Sequence, residues 1–339
     1  MARRRRRRLK TKKLLLTIFL LLLFAVMGYC VYYIATIVRG LDDSRNDSFP
    51  DDLSELGIYS EAGGDALTDD ASDASITNIA LFGVDQREDE ACRSDVIMIA
   101  TVDKRHNKVK LTSVMRDSYV PIDGYGSNKI NAAYFYGGPT LAVKTLNQVF
   151  DLEITDYVTV NFSEMAAIVD AVGGVRIDVS EEERLDANHN MIEQSAQSGK
   201  PVDTIEQAGY QTLSGMQAVA YARIRHVGNA DYDRTGRQRE VMEQIFEKGK
   251  SMNPLEYPAL IKQMLPLVET SLELDEILDL AGIMLRDVTF EDLRLPCNED
   301  LINGGSLVID GVDYLYYDLD AASDKLHQFI YQDVRPAQE

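Results

Sequence analysis

The chain has 339 residues, 55 of them acidic and 35 basic, for a formal net charge of -20, and this length suits one large domain or two small ones. The charge is uneven: residues 1–13 hold nine Arg and Lys and no acid, whereas beyond Val38 there are 26 basic residues against 55 acidic. Such an acidic bulk excludes nucleic-acid binding through a broad basic surface, and three cysteines exclude a disulfide framework.

Leu14 to Val38 is a run of 25 residues without a charge, rich in Leu, Ile, Val and Phe, with Tyr29, Tyr32 and Tyr33 towards its far end. Roughly 20 apolar residues span the hydrocarbon of a bilayer, so this run predicts an uncleaved transmembrane helix. It is longer than the apolar core of a signal peptide and lacks a small-x-small exit. The Arg3 to Arg8 run before it predicts a cytoplasmic N-terminus with the rest outside the cell, a single-pass membrane protein. Cys30 falls in the span, which leaves Cys92 and Cys297 as one bridge or two free thiols. Residues 39–75, rich in Asp, Ser, Gly and Ala, read as a flexible acidic linker, and the remaining 76–339 as the outer domain.

Within that domain Asn78–Val84, Asp95–Val102 and Lys108–Val114 are β-branched apolar runs of strand length, the last two joined by the polar turn Asp103–Asn107. Pro139–Phe150 predicts a helix with Pro139 in its first turn. Tyr157–Phe162 reads as a strand, Ser163 as the cap of a helix ending at Gly173-Gly174, and Val175–Val179 as a strand. Residues 181–204 are polar and unpatterned, which reads as a surface loop. Ser214–Arg223 and Arg237–Lys250 predict helices. Two amphipathic helices follow over 258–272 and 273–286, with Pro266 kinking the first. Late strands at Leu293–Pro296 and Tyr314–Tyr317 precede a closing helix, Ala321–Tyr331. Alternating strands and helices predict an α/β fold, a three-layer α-β-α sandwich on a central mixed sheet.

The chemistry concentrates between Ala220 and Val241. Arg223, Arg225, Arg234, Arg237 and Arg239 place five guanidiniums in seventeen residues, interleaved with Asp231, Asp233 and Gln238. A solvated, salt-bridged helix face is the plain alternative, but the acids are too few to neutralise these arginines locally. Guanidinium forks meet phosphate or pyrophosphate bidentately. Asp85, with Arg87 close behind, ends one strand, while Arg93 and Asp95 open the next. Two carboxylates on one sheet rim can hold a hard cation such as Mg²⁺, or Mn²⁺ in its place. Arg116 ends the third strand and Lys129 lies in the loop beyond. Strand ends are where open α/β sheets bind ligands, so these residues define one candidate site for phosphoryl transfer. The four histidines show no metal-ligand spacing, and neither a G-x-S-x-G nor a P-loop pattern occurs.

The ordered motifs LFGVDQR, RSD, LTSVMRDSYV, KINAAYFYGG, DYVTVNF, VDAVGGVRIDV, LSGMQAVAYARIRH and DYDRTGRQRE, over about residues 76–250, resemble the LytR-CpsA-Psr family of bacterial cell-envelope proteins. That resemblance implies a phosphotransferase that moves a glycopolymer, such as wall teichoic acid or capsular polysaccharide, from an undecaprenyl-pyrophosphate carrier to a peptidoglycan sugar hydroxyl. It assigns Asp85 and Asp95 to Mg²⁺ and Arg93, Arg116, Arg223, Arg225, Arg234 and Gln238 to the pyrophosphate. Asp231 is implied as a functional acid that orients arginines, and Lys129 as a further contact; Arg87 and Arg237 join the pyrophosphate set from their place in the clusters. It also implies an apolar tunnel for the polyprenyl chain, whereas Leu141–Val149 reads as ordinary core. Two departures stand out: Met115 where the family has proline, and Asp233 where it has glycine before Arg234. A non-catalytic polyprenyl-pyrophosphate binding or sensing protein is the alternative. A transcriptional attenuator is another, though an acidic domain across the membrane has no access to DNA.

Overall fold

The computed structural model describes residues 36–41, 44–46, 48–50, 52–59, 75–85, 92–198 and 202–336. The expected membrane span lies outside them except for its last three residues. No helix among the described residues is long and apolar enough to cross a membrane.

Along the chain, β1 (Ile76–Val84), β2 (Ser94–Asp103) and β3 (Lys108–Val114) form an antiparallel meander, and β4 (Tyr119–Ile122) and β5 (Gly126–Lys129) a small hairpin beyond it. Helix α1 (Asn131–Phe150), β6 (Asp156–Asn161), α2 (Phe162–Ala171), β7 (Val175–Val179), α3 (Glu181–Ser198), β8 (Gly209–Leu213), α4 (Gly215–Ala222) and α5 (Ala230–Ser251) follow. The last third adds α6 (Tyr257–Met264), β9 (Glu269–Thr270), α7 (Leu274–Ala281), β10 (Thr289–Leu295), β11 (Gly305–Ile309), β12 (Val312–Tyr316) and α8 (Leu319–Tyr331). The central sheet is mixed and six-stranded, in the order β10-β3-β2-β1-β6-β9, with β1 parallel to β6 and β3 parallel to β10.

Strand alternation divides that sheet into two faces. Ala80 pairs with Ile99 and Phe82 with Ile97, and all four are buried in the main core with α1 and α8. Leu81 pairs with Met98 and Gly83 with Val96, and these face the layer of α2, α4 and α5, where the core is incomplete. A Cβ on Gly83 would lie 2.8 Å from the Val96 Cβ, so glycine there keeps this face open. The closing helix is tied down by Lys110, which is fully buried on β3. Its ammonium donates to the carbonyls of Phe329 at 2.8 Å and Ile330 at 3.1 Å and lies 3.2 Å from Asp103. The cation thus meets the negative end of α8 and a carboxylate, the partnering that a buried charge requires.

Several elements differ from the sequence reading. Residues 181–198 form α3 rather than a loop. Ser180 and Glu183 cap each other, three glutamates sit at the favourable end of the dipole, and Ala187 and Met191, one turn apart, are buried. Asn161, not Ser163, caps α2 through a reciprocal box with Glu164. Helix α1 begins eight residues before Pro139 and is broken at Gly137 and Gly138. Strand β7 pairs with β8, beyond α3, in a separate two-stranded antiparallel sheet. The chain leaves α6 through a 3-10 turn at Leu265–Leu267 instead of kinking at Pro266.

The expected linker is in part docked on the domain. Leu56 is 1% exposed in the main core, the Asn147 side chain donates to its carbonyl at 2.8 Å, and the Asn46 amide donates to Tyr157 Oη at 2.8 Å. Leu56, with the partly buried Phe49 and Ile58 packed against the same core, is too sparse a pattern among the acids to read as periodicity, yet it fills a defined hole. Leu56→Ala is therefore expected to cost about 2–5 kcal/mol, the range for a buried leucine, in chemical denaturation of the domain. A flexible tether would give no change.

Candidate functional site

Helix α4 ends at Arg223, its C-cap, and α5 begins at Ala230, so the connecting loop and the first turns of α5 carry the arginines. Gly228 lets that loop turn: its φ is +76°, and a Cβ would come within 1.9 Å of Asp233 Oδ2. Asp233 Oδ2 accepts from the Asn229 backbone N–H at 2.6 Å, so this carboxylate closes the loop. The other departure from the family pattern, Met115, is buried with its Sδ 3.9 Å from Thr235 Oγ1, where the end of β3 packs on α5.

Asp231 stands at the centre of three guanidiniums. Its carboxylate lies 3.2 Å from Arg234 Nη2, 3.7 Å from Arg116 Nη2 and 3.9 Å from Arg225 Nε. Arg116 also contacts Asp95 Oδ1 through Nη1 and lies 3.6 Å from Asp117 Oδ2. Asp117 Oδ1 in turn accepts from Lys129 Nζ at 2.7 Å. Burial works to lower the Arg116 pKa, but Asp95, Asp117 and Asp231 outweigh it and hold it above its ordinary value. Arg234 has no such surplus. It is 4% exposed, and burial, then the positive charges of Arg116 and Arg225, bring its pKa down to about 10. Among the described residues, the buried Nε atoms of Arg234 and Arg116 have no hydrogen-bond partner; the 3.6 Å approach of Asp117 to Arg116 is ionic, too long for a hydrogen bond. Arg225 and Arg234 share Asp231, and the unpartnered Nε atoms of Arg116 and Arg234 are donors that a polyanion would satisfy.

The cluster adjoins an apolar cavity of about 240 Å³ on the open face of the sheet. Val96, Met98, Val158 and Val160 form its floor, and α2, α4 and α5 its walls. Two polar side chains of the candidate set, Arg223 and Gln238, line it as well. The Arg223 guanidinium sits 4.5 Å over the Phe162 ring, and Gln238, one turn beyond Arg234, donates to the Ala222 carbonyl at 3.4 Å. Leu141–Val149, by contrast, belongs to the packed core on the other face, with Val143 and Leu146 buried.

The predicted residues thus sort by position. Asp95, Arg116, Arg225, Asp231 and Arg234 converge, Lys129 joins them through Asp117, and Arg223 and Gln238 mark the cavity. Asp85 is exposed at the end of β1, where Val84 pairs with Ser94, which sets it on the same rim as Asp95. Arg93 is exposed beside it, and Arg87 lies outside the described residues. Arg237 is diverted: it donates to Glu183 Oε1 at 2.8 Å and to the carbonyls of Val227 at 3.1 Å and Ile224 at 3.5 Å. Buried and committed to those partners, it holds the loop that presents Arg225. Arg239 is likewise paired with Asp292 at 2.6 Å. Cys92 and Cys297 are free thiols. Asp117, which couples Arg116 to Lys129, was legible only as the residue following Arg116.

The LytR_cpsA_psr family model matches residues 54–328, and the chain belongs to the LytR-CpsA-Psr family. It is 34% identical over 254 residues, 74% of its own length and 76% of the relative's, to the polyisoprenyl-teichoic acid–peptidoglycan teichoic acid transferase TagU of Bacillus cereus (strain AH820). Among solved structures it is similar to TagT bound to LI-WTA, with a TM-score of 0.61 and 27% identity over 76% of this chain and 91% of that one. It is also similar to the LytR-CPS2A-psr family protein YwtF (TagT) with bound octaprenyl pyrophosphate lipid, with a TM-score of 0.57 and 25% identity over 80% and 99%.

Arg234→Met removes a buried charge that lacks full partnering, so the unliganded domain is expected to melt no lower than wild type. Inorganic pyrophosphate is expected to raise the melting temperature of the wild type by binding the folded state and to leave this variant unshifted. Thermal melts with and without pyrophosphate check both. A destabilised variant that keeps the full shift would contradict the assignment.

Proposed function

We propose that this protein is a membrane-anchored phosphotransferase. It moves a glycopolymer, wall teichoic acid, capsular polysaccharide or a similar chain, from an undecaprenyl-pyrophosphate carrier to a peptidoglycan sugar hydroxyl, leaving a phosphodiester. The observation that carries this reading is the junction of an apolar cavity with a partly buried guanidinium cluster, which matches a ligand that is hydrocarbon at one end and pyrophosphate at the other. The relatives' names and the octaprenyl pyrophosphate held by a similar fold support it. The apolar run at 14–38 and the basic residues before it support an anchor that keeps the outer domain beside its lipid donor.

Arg116, Arg225 and Arg234 bind the pyrophosphate oxygens and stabilise the charge that builds on them in the transition state. Asp231 keeps the three forks convergent while the site is empty of substrate. The acceptor oxygen attacks the phosphorus that bears the polymer's first sugar. A new P–O bond forms, the bond to the bridging oxygen breaks, and polyprenyl phosphate departs with that electron pair. The hydroxyl proton passes to a carboxylate. Asp95 is engaged by Arg116, so exposed Asp85 has the freer oxygens for this role.

Asp85 and Asp95 also fit Mg²⁺. Both are hard oxygen donors on adjacent strand ends, and the Arg116 contact uses one of the two Asp95 oxygens. When bound, the ion supplies further positive charge beside the pyrophosphate.

Arg225→Ala, at a half-exposed position, is expected to lower transfer from a labelled lipid-linked polymer by about 100-fold or more, the loss typical of one preorganised donor, with an unchanged melting temperature. Asp85→Asn is expected to lower transfer while retaining lipid binding. Undiminished transfer by Arg225→Ala would reject the reading, and product analysis tells a sugar acceptor from water.

A further inference from the structure

The donor accounts for the cavity face of the sheet, but a transferase must also seat its acceptor, and the other face offers a surface for it. Strand β12 runs beside the β4–β5 hairpin: Leu315 N–H donates to the Asp117 carbonyl at 2.8 Å, and Ser118 bridges to Leu315 in parallel register. Leu315 turns inward against the main core, so Tyr314 and Tyr316, its neighbours in an alternating strand, share the outer side of the hairpin. Tyr119, on β4, meets Tyr314 edge-on with ring centroids 5.0 Å apart and planes at 68°. Tyr316 is 49% exposed. This aromatic face is continuous with the anion site: Lys129 Nζ lies 5.9 Å from the Tyr314 ring centroid and 2.7 Å from Asp117, which neighbours Arg116.

We propose that Tyr119, Tyr314 and Tyr316 form the platform on which the acceptor glycan docks. This rests on the transferase reading and names the acceptor's place within it. Two arguments select a glycan. Aromatic faces pack against the apolar C–H faces of sugar rings while the ring hydroxyls stay hydrated at the edges, a demand that the face of a half-exposed tyrosine meets. Phosphoryl transfer also places the attacking and leaving oxygens roughly in line. The leaving polyprenyl phosphate belongs with the cavity beneath β2, β1 and β6, so the attacking hydroxyl must enter from the opposite side of the arginines. Lys129 and the tyrosines follow β3 on that side, associated with the α1 face of the sheet. A sugar laid on Tyr314 would approach Arg116 by way of Lys129 and Asp117.

The full-length protein in detergent, with lipid-linked donor and soluble peptidoglycan glycan strands as acceptor, tests this by varying the acceptor concentration. Tyr314→Ala and Tyr316→Ala are each expected to raise the acceptor KM roughly tenfold, the order of one buried aromatic contact. The expected kcat at saturating acceptor and the pyrophosphate-induced melting shift are those of the wild type, and Tyr314→Phe is expected to keep the wild-type KM. Tyr316 projects outward, so its variant separates a docking loss from a folding loss. An unchanged acceptor KM in both alanine variants would overturn the platform. Direct titration of the glycan strands into the donor-free protein gives an independent arm. Binding lost in Tyr316→Ala supports the platform even if wild-type transfer is absent, whereas equal binding by wild type and variant overturns it and leaves the transferase reading standing.

Discussion

Everything at this site depends on one carboxylate holding together side chains that repel each other. Asp231 lies within 4 Å of Arg116, Arg225 and Arg234, and without it three guanidiniums, one of them almost wholly buried, would separate or draw in water. With it they converge, and Arg234, lowered in pKa first by burial and then by Arg116 and Arg225, keeps an unpartnered Nε. Such unmet donors are what a polyanion would satisfy. The protein keeps the charges preorganised, so less rearrangement is needed when the ligand arrives.

The surrounding fold supplies the fixed points. Arg116 leaves the end of a central strand, while Asp231 and Arg234 occupy the first turns of a 22-residue helix that packs on the same sheet. Met115 against Thr235 joins those two supports one residue from each functional arginine. Arg237, buried against Glu183, pins the carbonyls of the α4–α5 loop, and Asp233 closes its tight turn. Arginines that look alike in the sequence therefore divide into those that converge on Asp231 and those that hold the backbone in place. The sheet itself separates the hydrocarbon cavity on one face from the exposed aromatic hairpins associated with the other, with the cations at the rim between them.

Much of this was legible in the sequence because it is local. The β-branched apolar runs of β1, β2 and β3 have strand length, and the excess of arginine over acid between Ala220 and Val241 points to an anion site without a structure. What was hidden depends on contacts between distant residues. The pairing of Arg237 with Glu183 spans 54 positions, so its sequence neighbours suggested a ligand role, whereas its guanidinium is engaged by that carboxylate and by two backbone carbonyls. Helix α3 was obscured because its apolar side consists of little more than Ala187 and Met191 in a polar stretch. The docking of Leu56 relies on a hole formed by the rest of the domain, and the cavity reflects what small or missing side chains such as Gly83 fail to fill. Periodicity reports which residues are apolar, not where packing leaves a gap.

A crystal structure of the outer domain with farnesyl pyrophosphate, a short isoprenoid that carries the same headgroup, tests the central claim most directly. The account predicts pyrophosphate oxygens within hydrogen-bond distance of Arg116, Arg225 and Arg234, with the isoprenoid chain lying between β1, β2 and β6 and the helices α2, α4 and α5. A pyrophosphate bound elsewhere, with these three guanidiniums unmoved around Asp231 and the cavity unfilled, would contradict it.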